Sequence, residues 1–493
     1  QPVSLDYIVF GPADMKLDRA EAGFFKGLWE GTKTFLASFV EDYNVIGAVA
    51  GEGRKVKVWV NTGRDQINII NNMVNDEFTP STGINVQLEL VQGSLIESTL
   101  AGKGPDVALM IASDQPVNYA IRGALVDLSQ FGPQDLDGDG KNEVNGFADV
   151  YKRYSRQNFE GFAFQMNSDK DNEKAHEGEE WTCEVCGTVN NTGICSSCGY
   201  KKYYAYYAVP ETQNFNMMFY RKDILAELGL GVPNTWDDFY AMLPVLRRNN
   251  LEVGVLSGTM YQILLYQYGG SFYSEDRHKS GLTTDAAKKA FVEVSDCFIK
   301  YDFPITFNFY TRFRSGEMPI SIQPYTQFNL INAAAPEIQG LWDMTKVPGT
   351  KREDGSVNYA QNVSSSGAIM FQNTEDKEAA WAFIEWYTRN DMQTRYGTEL
   401  ESIMGAAGRY AAANIEAFEN LAWTRQQTRL LSEQMDDLAG VPEVPGSYFT
   451  ARTITLAFND AYIEMENPYK ALSERAEDLD DEIARKYEEF GLY

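Results

Sequence analysis

The pattern of apolar and polar residues from position 56 onward predicts a parallel α/β layer. VKVWV at 56–60 and PDVALMIA at 105–112 are apolar runs typical of buried strands, and INVQLELV at 84–91 alternates as a strand does. Helical periodicity fills the two intervals, at 67–83 and 94–104. Strands and helices that alternate through short connections favour parallel strands with helices on both faces. Ligands of such sheets bind beyond the carboxyl ends of the strands, which are followed in this chain by NTGRDQ and ASDQPVN.

The first 53 residues have a different character and are predicted to form an N-terminal segment that belongs to an upstream region. SLDYIVF at 4–10 is typical of a strand, 23–43 is an amphipathic helix, and GEGRK at 51–55 is a Gly-rich charged linker. The helix could contact a membrane or a partner, although packing on its own domain is favoured. The first residues lack the basic and then apolar pattern of a signal peptide. We therefore expect this sequence to begin inside a larger protein.

Two long helices are predicted near the carboxyl end of the chain. KEAAWAFIEWYTRNDMQTRYG at 377–397 is interpreted as one helix with aromatic residues in a core. A second helix is expected to start at Asn467 and Pro468, with an apolar stripe formed by Leu472, Ala476, Leu479 and Ile483.

Composition and charge exclude several classes of function. The 70 acidic and 43 basic side chains give a formal net charge of −27, which repels phosphate backbones and anionic lipid. Only two histidines are present, so the commonest general base and catalytic-metal ligand is scarce. The sequence contains neither a Gly-x-Ser-x-Gly elbow nor a phosphate loop. Catalysis by paired carboxylates is not excluded, since the acidic residues offer many pairs.

Several ordered motifs resemble one family of receptors. VKVWVNTGRDQ, LAGKGPDVALMIASD, YAVPETQNFNMMFYRKDILAELGLGVPNTWDDF, SGEMPISIQPYTQFNLI and the two terminal helices are similar, in this order, to the extracellular solute-binding proteins of ABC importers. Within these proteins, the motifs resemble family 1, the maltose-binding-protein-like class. The resemblance covers about residues 54–490. It implies an α/β, two-lobed periplasmic-binding-protein-like fold. Lobe one is expected at 54–208 and 366–417, with an insertion at 135–203, and lobe two at 209–365 and 418–493.

The same resemblance implies where a ligand binds. Polar candidates follow strand ends or lie on the crossover between lobes, and aromatic candidates lie at stacking positions; they are Arg64, Asp65, Asp114, Gln115, Glu211, Gln213, Tyr261, Tyr325, Tyr448 and Arg452. Rings that stack on sugar C–H faces and planar groups that hold hydroxyls suit an oligosaccharide. Arg64 and Asp65 could equally be an ordinary helix start, and a core role fits Tyr448 and Arg452 equally well.

Residues 181–200, WTCEVCGTVNNTGICSSCGY, contain four of the five cysteines. Two Cys-x-x-Cys pairs, each followed by glycine, are typical of a metal knuckle, so a structural zinc-ribbon-like insertion bound through Cys183, Cys186, Cys195 and Cys198 is predicted. A zinc site is favoured over disulfides. Iron sites use the same cysteine spacing, so the sequence does not distinguish iron from zinc. A redox pair is less favoured, because it needs no second pair. Cys297 is expected to be a buried thiol.

A second metal candidate is DLDGDGKNE at 135–143. Asp135, Asp137, Asp139 and Glu143 follow part of a calcium loop, but the twelfth position is Gly146 instead of a bidentate glutamate. Asp149 could supply a late ligand. Calcium binding and a solvated acidic turn stay open as alternatives.

The sequence thus predicts a non-enzymatic, extracellular solute receptor that binds a small ligand between two lobes and delivers it to a membrane permease. An oligosaccharide is the favoured ligand. The alternatives are a carbohydrate-active enzyme with paired carboxylates, and a protein-interaction module that uses the zinc ribbon. The chain is expected to be monomeric, to bind no nucleic acid, and to be held at the cell surface by a lipid or an upstream anchor.

Overall fold

In a computed structural model of the chain, the described residues are 45–46, 53–91, 104–136 and 138–492. The chain divides into two units, Gln1–Val45 and Ile46–Tyr493, and both lobes belong to the second. The predicted strand at 4–10 and amphipathic helix at 23–43 lie outside the described residues. Most of the predicted helix at 94–104 also lies outside them, as does Asp137 of the candidate calcium loop.

Nine strands of the second unit build two sheets. They are β1 (Lys55–Val60), β2 (Asn85–Leu90), β3 (Val107–Ala112), β4 (Val209–Asn214), β5 (Asn216–Arg221), β6 (Val253–Gly254), β7 (Ile320–Pro324), β8 (Trp342–Thr345) and β9 (Ser364–Met370). The first sheet has the order β2-β1-β3-β9-β4, and the second has the order β6-β7-β5-β8. Two separate sheets within one chain require segments that cross from one sheet to the other.

The first sheet confirms the predicted parallel layer and adds two strands from later in the chain. β1 is parallel to β2 and to β3, as the pairing of Val58 with Leu88 and Val107 shows. β9 is antiparallel to β3 and to β4, with Ser366 opposite Ala112 and Ser364 opposite Asn214. The carboxyl ends of β1, β3 and β4 and the amino end of β9 therefore meet along one edge, which we call the shared edge.

The crossing segments leave the first sheet at the shared edge. β4 continues through Phe215 directly into β5, the strand between β7 and β8 in the second sheet. Before β9, the short strand Gln361–Asn362 runs parallel to Leu438–Ala439. Two lobes joined by short crossing strands are the fold that the sequence predicts. The exact lobe boundaries and the extent of the insertion stay predictions.

Helices cover both sheets, and the loops contain pairs of two-residue strands. The α-helices are Arg64–Met73, Thr79–Thr82, Pro116–Ala120, Phe147–Tyr151, Asn167–Ala175, Lys222–Glu227, Trp236–Arg248, Ser257–Gln267, Asp285–Ile299, Phe309–Ser315, Gln327–Ala334, Lys377–Tyr387, Asn390–Met404, Ile415–Asn420, Arg425–Met435, Thr450–Tyr462 and Pro468–Glu489. A π-helix covers Val74–Phe78, and 3₁₀-helices cover Leu128–Gln130, Arg156–Phe162, Pro336–Ile338, Ala406–Gly408 and Ser447–Phe449. The remaining short strands of this unit are Ala163–Phe164, Trp181–Thr182, Val189–Asn190, Ala205–Tyr206, Thr350–Lys351, Val357–Asn358, Gln361–Asn362 and Leu438–Ala439.

The two predicted terminal helices form, one of them in two pieces. Asn467 caps the last helix, because its side chain accepts a hydrogen bond from the Lys470 N–H, and the predicted apolar stripe is buried. The predicted helix at 377–397 is interrupted between Tyr387 and Asn390. The hydroxyl of Thr388 in that gap donates to the carbonyl of Ile384, so the side chain competes with the backbone ladder.

Among the helices of the described residues, none is both long enough and apolar enough to cross a bilayer.

Candidate functional site

A strip of neutral polar side chains lines the shared edge. Thr212 on β4 and Ser366 on β9 face each other, with their hydroxyl oxygens 2.6 Å apart. Asn214 and Ser364 form the next pair along the same two strands. All four side chains are half-buried or exposed, whereas the residues between them are buried. Because alternate residues of a strand point to opposite faces, these four share one face, which is less buried than the opposite face.

Three polar oxygens at the shared edge are buried and have no hydrogen-bond partner among the described residues. They are Thr62 Oγ1 beyond β1, Asn214 Oδ1 at the end of β4 and Asn362 Oδ1 just before β9. Buried polar atoms are nearly always paired in folded proteins, so unpaired ones at a strand edge indicate a ligand or ordered water. The three oxygens lie at strand ends that meet along the same edge, which suits a molecule with several hydroxyl groups.

Glu211 and Gln213 lie on the opposite, buried face of β4, which corrects the expectation that they face the ligand. Glu211 is completely buried, and one carboxylate oxygen accepts a 2.6 Å hydrogen bond from the Met110 N–H. Burial raises the pKa of Glu211 to about 8, although the Met110 N–H works against that increase. Gln213 accepts a bond from Asn158 at 3.2 Å and donates to the Ala412 carbonyl. Both side chains therefore pack on the buried face of β4 and stabilise the crossing segment.

The four predicted polar residues after β1 and β3 do lie near the shared edge. Arg64 and Asp65 are exposed in the first turn of the helix Arg64–Met73, where Asp65 also suits the helix N-terminus. Asp114 is exposed beyond β3, and Gln115 accepts a 2.8 Å hydrogen bond from the Tyr119 hydroxyl. Their position agrees with the expectation, and their contact with a ligand stays a prediction.

Tyr261 and Tyr325 are core residues, which argues against their predicted stacking on a ligand. Tyr261 is 1% exposed, and its ring packs edge-on against Phe291 at 5.5 Å. Tyr325 is fully buried and stacks on Phe215 at 4.6 Å, and its hydroxyl donates to the Gln213 carbonyl at 3.3 Å. Since Phe215 joins the two sheets, Tyr325 stabilises the crossing segment instead of offering a free ring face.

The segment 443–452 brings lobe-two groups toward Asp114. Tyr448 is 55% exposed and its hydroxyl bonds to Glu482, while the Arg452 guanidinium lies over the Phe449 ring at 5.6 Å. Glu443 is buried, and burial raises its pKa to about 8, with a further contribution from the negative charge of Asp114. A Cβ at Gly161 would lie 3.0 Å from Cβ of Ser113 and 3.3 Å from the Val441 carbonyl oxygen, so the residues around Asp114 lie close to the start of this segment. An exposed ring at Tyr448 is compatible with its predicted role.

The four cysteines of residues 181–200 converge. Their Sγ atoms lie within 4.8 Å of one another, with 3.6 Å between Cys183 and Cys198 and 3.4 Å between Cys186 and Cys195. A tetrahedral zinc ion with four thiolates needs sulfurs about 3.8 Å apart, so the donor set fits. All five cysteines are free thiols, which argues against disulfides. Cys297 is buried, as predicted.

The two halves of this cluster, which we call the metal ribbon (Trp181–Tyr200), repeat one backbone pattern. The Gly187 N–H donates to the Cys183 carbonyl and the Gly199 N–H donates to the Cys195 carbonyl, at 2.8 and 2.9 Å. Both glycines have φ of 75°, a left-handed conformation that side chains disfavour. The short strands Trp181–Thr182 and Val189–Asn190 pair within the ribbon. Local turns thus hold the sulfurs in place.

The acidic loop also gathers its described carboxylates. Donor oxygens of Asp135, Asp139 and Glu143 lie within 4.8 Å of one another, and all three residues are exposed. Asp135 accepts bonds from the Gly138 and Gly140 N–H groups, and Asp149 pairs with Lys152. The positions of these carboxylates fit a calcium ion. They fit equally well an acidic turn that is held by backbone hydrogen bonds and binds no ion.

Sequence reasoning missed Thr62, Asn214, Asn362, Ser366 and Glu443. Asn214 lies on the face of β4 opposite Glu211 and Gln213, and the sequence does not show which of these two faces is buried. Glu443 lies between two prolines in VPEVP, a setting that the sequence shows without indicating burial.

The two sheets, their crossing segments and the polar shared edge define a two-lobed solute-binding fold of the α/β class. Residues 64–394 match the sequence model of the family described as bacterial extracellular solute-binding protein. That span is more than half of the chain, and the chain therefore belongs to this family.

Individual relatives agree with this assignment. A candidate binding protein of Brucella abortus (strain 2308) is 22% identical over 290 residues, which are 56% of this chain and 67% of that protein. The cyclic alpha-maltosyl-1,6-maltose binding protein of Arthrobacter globiformis superposes with a TM-score of 0.64 at 18% identity, and covers 88% of this chain and 100% of its own. The sugar-binding protein MalE of Xanthomonas citri gives 0.63 at 15% identity, with 89% and 100% covered. At these identities the structural likeness shows the fold.

A solute-binding protein of an ABC transporter from Thermotoga lettingae, bound with alpha-D-tagatose, gives a TM-score of 0.58 at 18% identity, with 87% of this chain and 100% of that chain covered.

Proposed function

We propose that this protein is the extracellular receptor of an ABC importer and binds a neutral oligosaccharide at the shared edge, between the two lobes. The observation that carries the proposal is the set of three unpaired buried oxygens, on Thr62, Asn214 and Asn362. Each accepts a hydrogen bond from a hydroxyl group, and together they match a ligand with several hydroxyls. The neighbouring Thr212 and Ser366 hydroxyls are also uncharged.

Several supporting features concern the ligand class and the partners. The solved proteins from Arthrobacter globiformis and Xanthomonas citri are described as maltose-type or sugar-binding proteins, and this chain shares their fold. Exposed Tyr448 offers a ring for stacking, and Arg64, Asp65, Asp114, Gln115 and Arg452 offer polar contacts. The protein would deliver its ligand to a membrane permease without chemical turnover, as a monomer held at the cell surface.

The metal ribbon is proposed to bind zinc as a structural ion through its four thiolates. Calcium at Asp135, Asp139 and Glu143, with Asp137 as a further donor, is proposed as a second structural ion. Both ions would stabilise loops and neither would take part in a reaction.

The test is a thermal-shift and calorimetry screen with neutral oligosaccharides, from disaccharides to cyclic maltosyl sugars. A bound sugar raises the melting temperature by mass action. Asn214→Ala should weaken the best ligand by about 1 kcal/mol, roughly fivefold, because one hydrogen bond is lost. Asn249→Ala removes an amide from the exposed end of the helix Trp236–Arg248 and is the matched control. Failure of every glycan to bind, or sugar hydrolysis by the pure protein, would refute the receptor.

A further inference from the structure

A second cavity lies between the metal ribbon and the crossing segments, apart from the shared edge. Its volume is about 340 Å³. One wall is the 3₁₀-helix Arg156–Phe162, another is formed by Gly199 and Lys201 at the end of the ribbon, and a third is Leu438–Gly440. None of the unpaired oxygens of the shared edge lines it. Pockets for small molecules start at about 300 Å³, so this cavity suits a ligand of monosaccharide size.

The cavity carries an excess of positive charge. Glu160 Oε1 accepts hydrogen bonds from Lys201 Nζ at 2.6 Å and from Arg277 Nη2 at 2.5 Å, so one carboxylate serves two cations. Arg156 is the second cation of the wall beside Lys201, and no carboxylate of the described residues lies within ion-pair distance of it. Among the residues that line the cavity, Arg156 and Lys201 against Glu160 leave one positive charge unbalanced. In a chain with a net charge of −27, this local excess is unusual.

Lys201 and Arg277 are held in partly dry surroundings, whereas Arg156 is exposed. The side chains of Lys201 and Arg277 are 15% and 10% exposed. Burial lowers the pKa of Lys201, although the charge of Glu160 favours its ionised form. Burial opposes ionisation of Glu160, yet Lys201 and Arg277 outweigh it and hold the pKa of Glu160 below its usual value. Charges in such surroundings attract a counter-ion more strongly than charges in water.

Close backbone contacts shape the walls. A Cβ at Gly199 would lie 2.6 Å from Cδ of Arg156, so the arginine stem rests on the ribbon. A Cβ at Gly440 would lie 2.4 Å from Cβ of Glu160 and 2.7 Å from the Gln157 carbonyl oxygen. Two glycines therefore let the ribbon and the 438–440 segment approach the helix Arg156–Phe162 from both sides. The rings of Tyr151 and Tyr206 border the cavity, but both residues are buried and their rings stack on Phe159 and Tyr200.

We propose that this cavity is an accessory site for a small organic anion of monosaccharide size, such as an acidic sugar. The Arg156 guanidinium is a planar donor that matches a carboxylate or phosphate, and Lys201 adds a second positive charge. A carboxylate and a phosphate ester share this chemistry, and the experiment separates them.

The test uses isothermal titration calorimetry on the full chain with D-glucuronate, D-glucose 6-phosphate and D-glucose. We expect at least one of the two anions to bind and neutral D-glucose not to bind at the same concentrations. Arg156→Gln should weaken the anion about tenfold, because one charge-assisted hydrogen-bonding partner is lost. Arg156→Lys should keep part of the affinity. Arg248→Gln removes the same charge from an exposed position on the helix Trp236–Arg248 and should change nothing.

Two results would overturn the accessory site. The first is that neither anion binds at millimolar concentration, or that Arg156→Gln binds as well as the wild type. The second is that Asn214→Ala, a change at the shared edge, abolishes binding of the anion, since that places the anion in the oligosaccharide site. Binding of neutral oligosaccharides is measured separately, so the oligosaccharide site and the accessory site can each be refuted without refuting the other.

Discussion

The buried carboxyl group of Glu211 should make the stability of the protein fall as the pH rises from about 5 to 8. The side chain is completely buried on the inner face of β4, and its pKa is raised from 4.5 to about 8. In the unfolded chain the same carboxyl group ionises near its ordinary value. Between these two pH values the folded protein keeps a proton that the unfolded chain has released. The stability that this proton contributes is therefore complete below about pH 4.5 and is lost as the pH rises toward 8.

The size of the effect follows from the two pKa values. Each pH unit in which only the unfolded chain is ionised lowers the free energy of unfolding by about 1.4 kcal/mol. From pH 4.5 to 8 the total is on the order of 4 to 5 kcal/mol, which is a large part of the stability of an ordinary domain. Glu443 has the same direction and a pKa of about 8, so it adds a second, independent contribution.

The assay is urea unfolding of the wild type and of Glu211→Gln at pH 5, 6, 7 and 8. Glutamine stays neutral and keeps an oxygen for the Met110 N–H. The free energy of unfolding of the variant, relative to wild type, should therefore rise by about 1.4 kcal/mol per pH unit. Glu419→Gln alters an exposed carboxylate and should leave the pH dependence unchanged. Parallel curves for Glu211→Gln and wild type at every pH would show that Glu211 is ionised in the folded protein, and the reasoning would fail.

Two further predictions concern the metal ribbon and the segment beside it. Cys183→Ser should reduce the zinc content from about one ion per chain to near zero, as measured by plasma mass spectrometry, because three thiolates hold the ion poorly. Cys297→Ser is the control and should keep the ion. Equal zinc content in both variants would contradict the four-thiolate site. Gly440→Ala should destabilise the protein by about 1 to 3 kcal/mol in thermal unfolding, since the new methyl group overlaps Glu160. Gly231→Ala is the control, because no atom lies within 4 Å of its added Cβ, and equal melting temperatures would disprove the close approach.

The parts of the site that the sequence predicts well are those fixed by local geometry. The metal ribbon is one case, because two Cys-x-x-Cys turns and their glycines determine where four sulfurs lie within 16 residues. The strands of the first sheet are another, since apolar runs and alternation report burial directly. The capping of the last helix by Asn467 is equally local.

The face of the crossover strand could not be predicted. In VPETQN both alternating sets contain polar residues, so the sequence shows the strand without showing which set is buried. The tertiary structure buries Glu211 and Gln213 against Met110 and Asn158, contacts that lie 101 and 55 residues away. Tyr325 is a similar case, because its burial depends on Phe215 and Trp423 from other segments. Long-range packing therefore decided which of the candidates are buried and which face the shared edge.

One short helix connects the metal ribbon with the shared edge. The ribbon packs on the lobe through Tyr200, whose ring stacks on Tyr206 at 5.5 Å, and through Gly199, which supports the stem of Arg156. Arg156 begins the 3₁₀-helix whose Gly161 approaches the shared edge: a Cβ there would lie 3.0 Å from Cβ of Ser113 and 3.3 Å from the Val441 carbonyl oxygen.

Ser113 directly follows β3, and Val441 follows the short strand that pairs with Gln361–Asn362. One helix thus contacts both a strand end that lines the proposed ligand site and a segment that pairs with a crossing strand. We expect removal of the proposed ion to release the ribbon side of this helix, and close packing should transmit such a displacement, because little free volume is available to absorb it. Loss of zinc, produced by a chelator and measured by calorimetry with the best oligosaccharide, should therefore weaken binding at the shared edge even though no cysteine lies there. Unchanged affinity after complete removal of the metal would show that the helix does not carry this coupling.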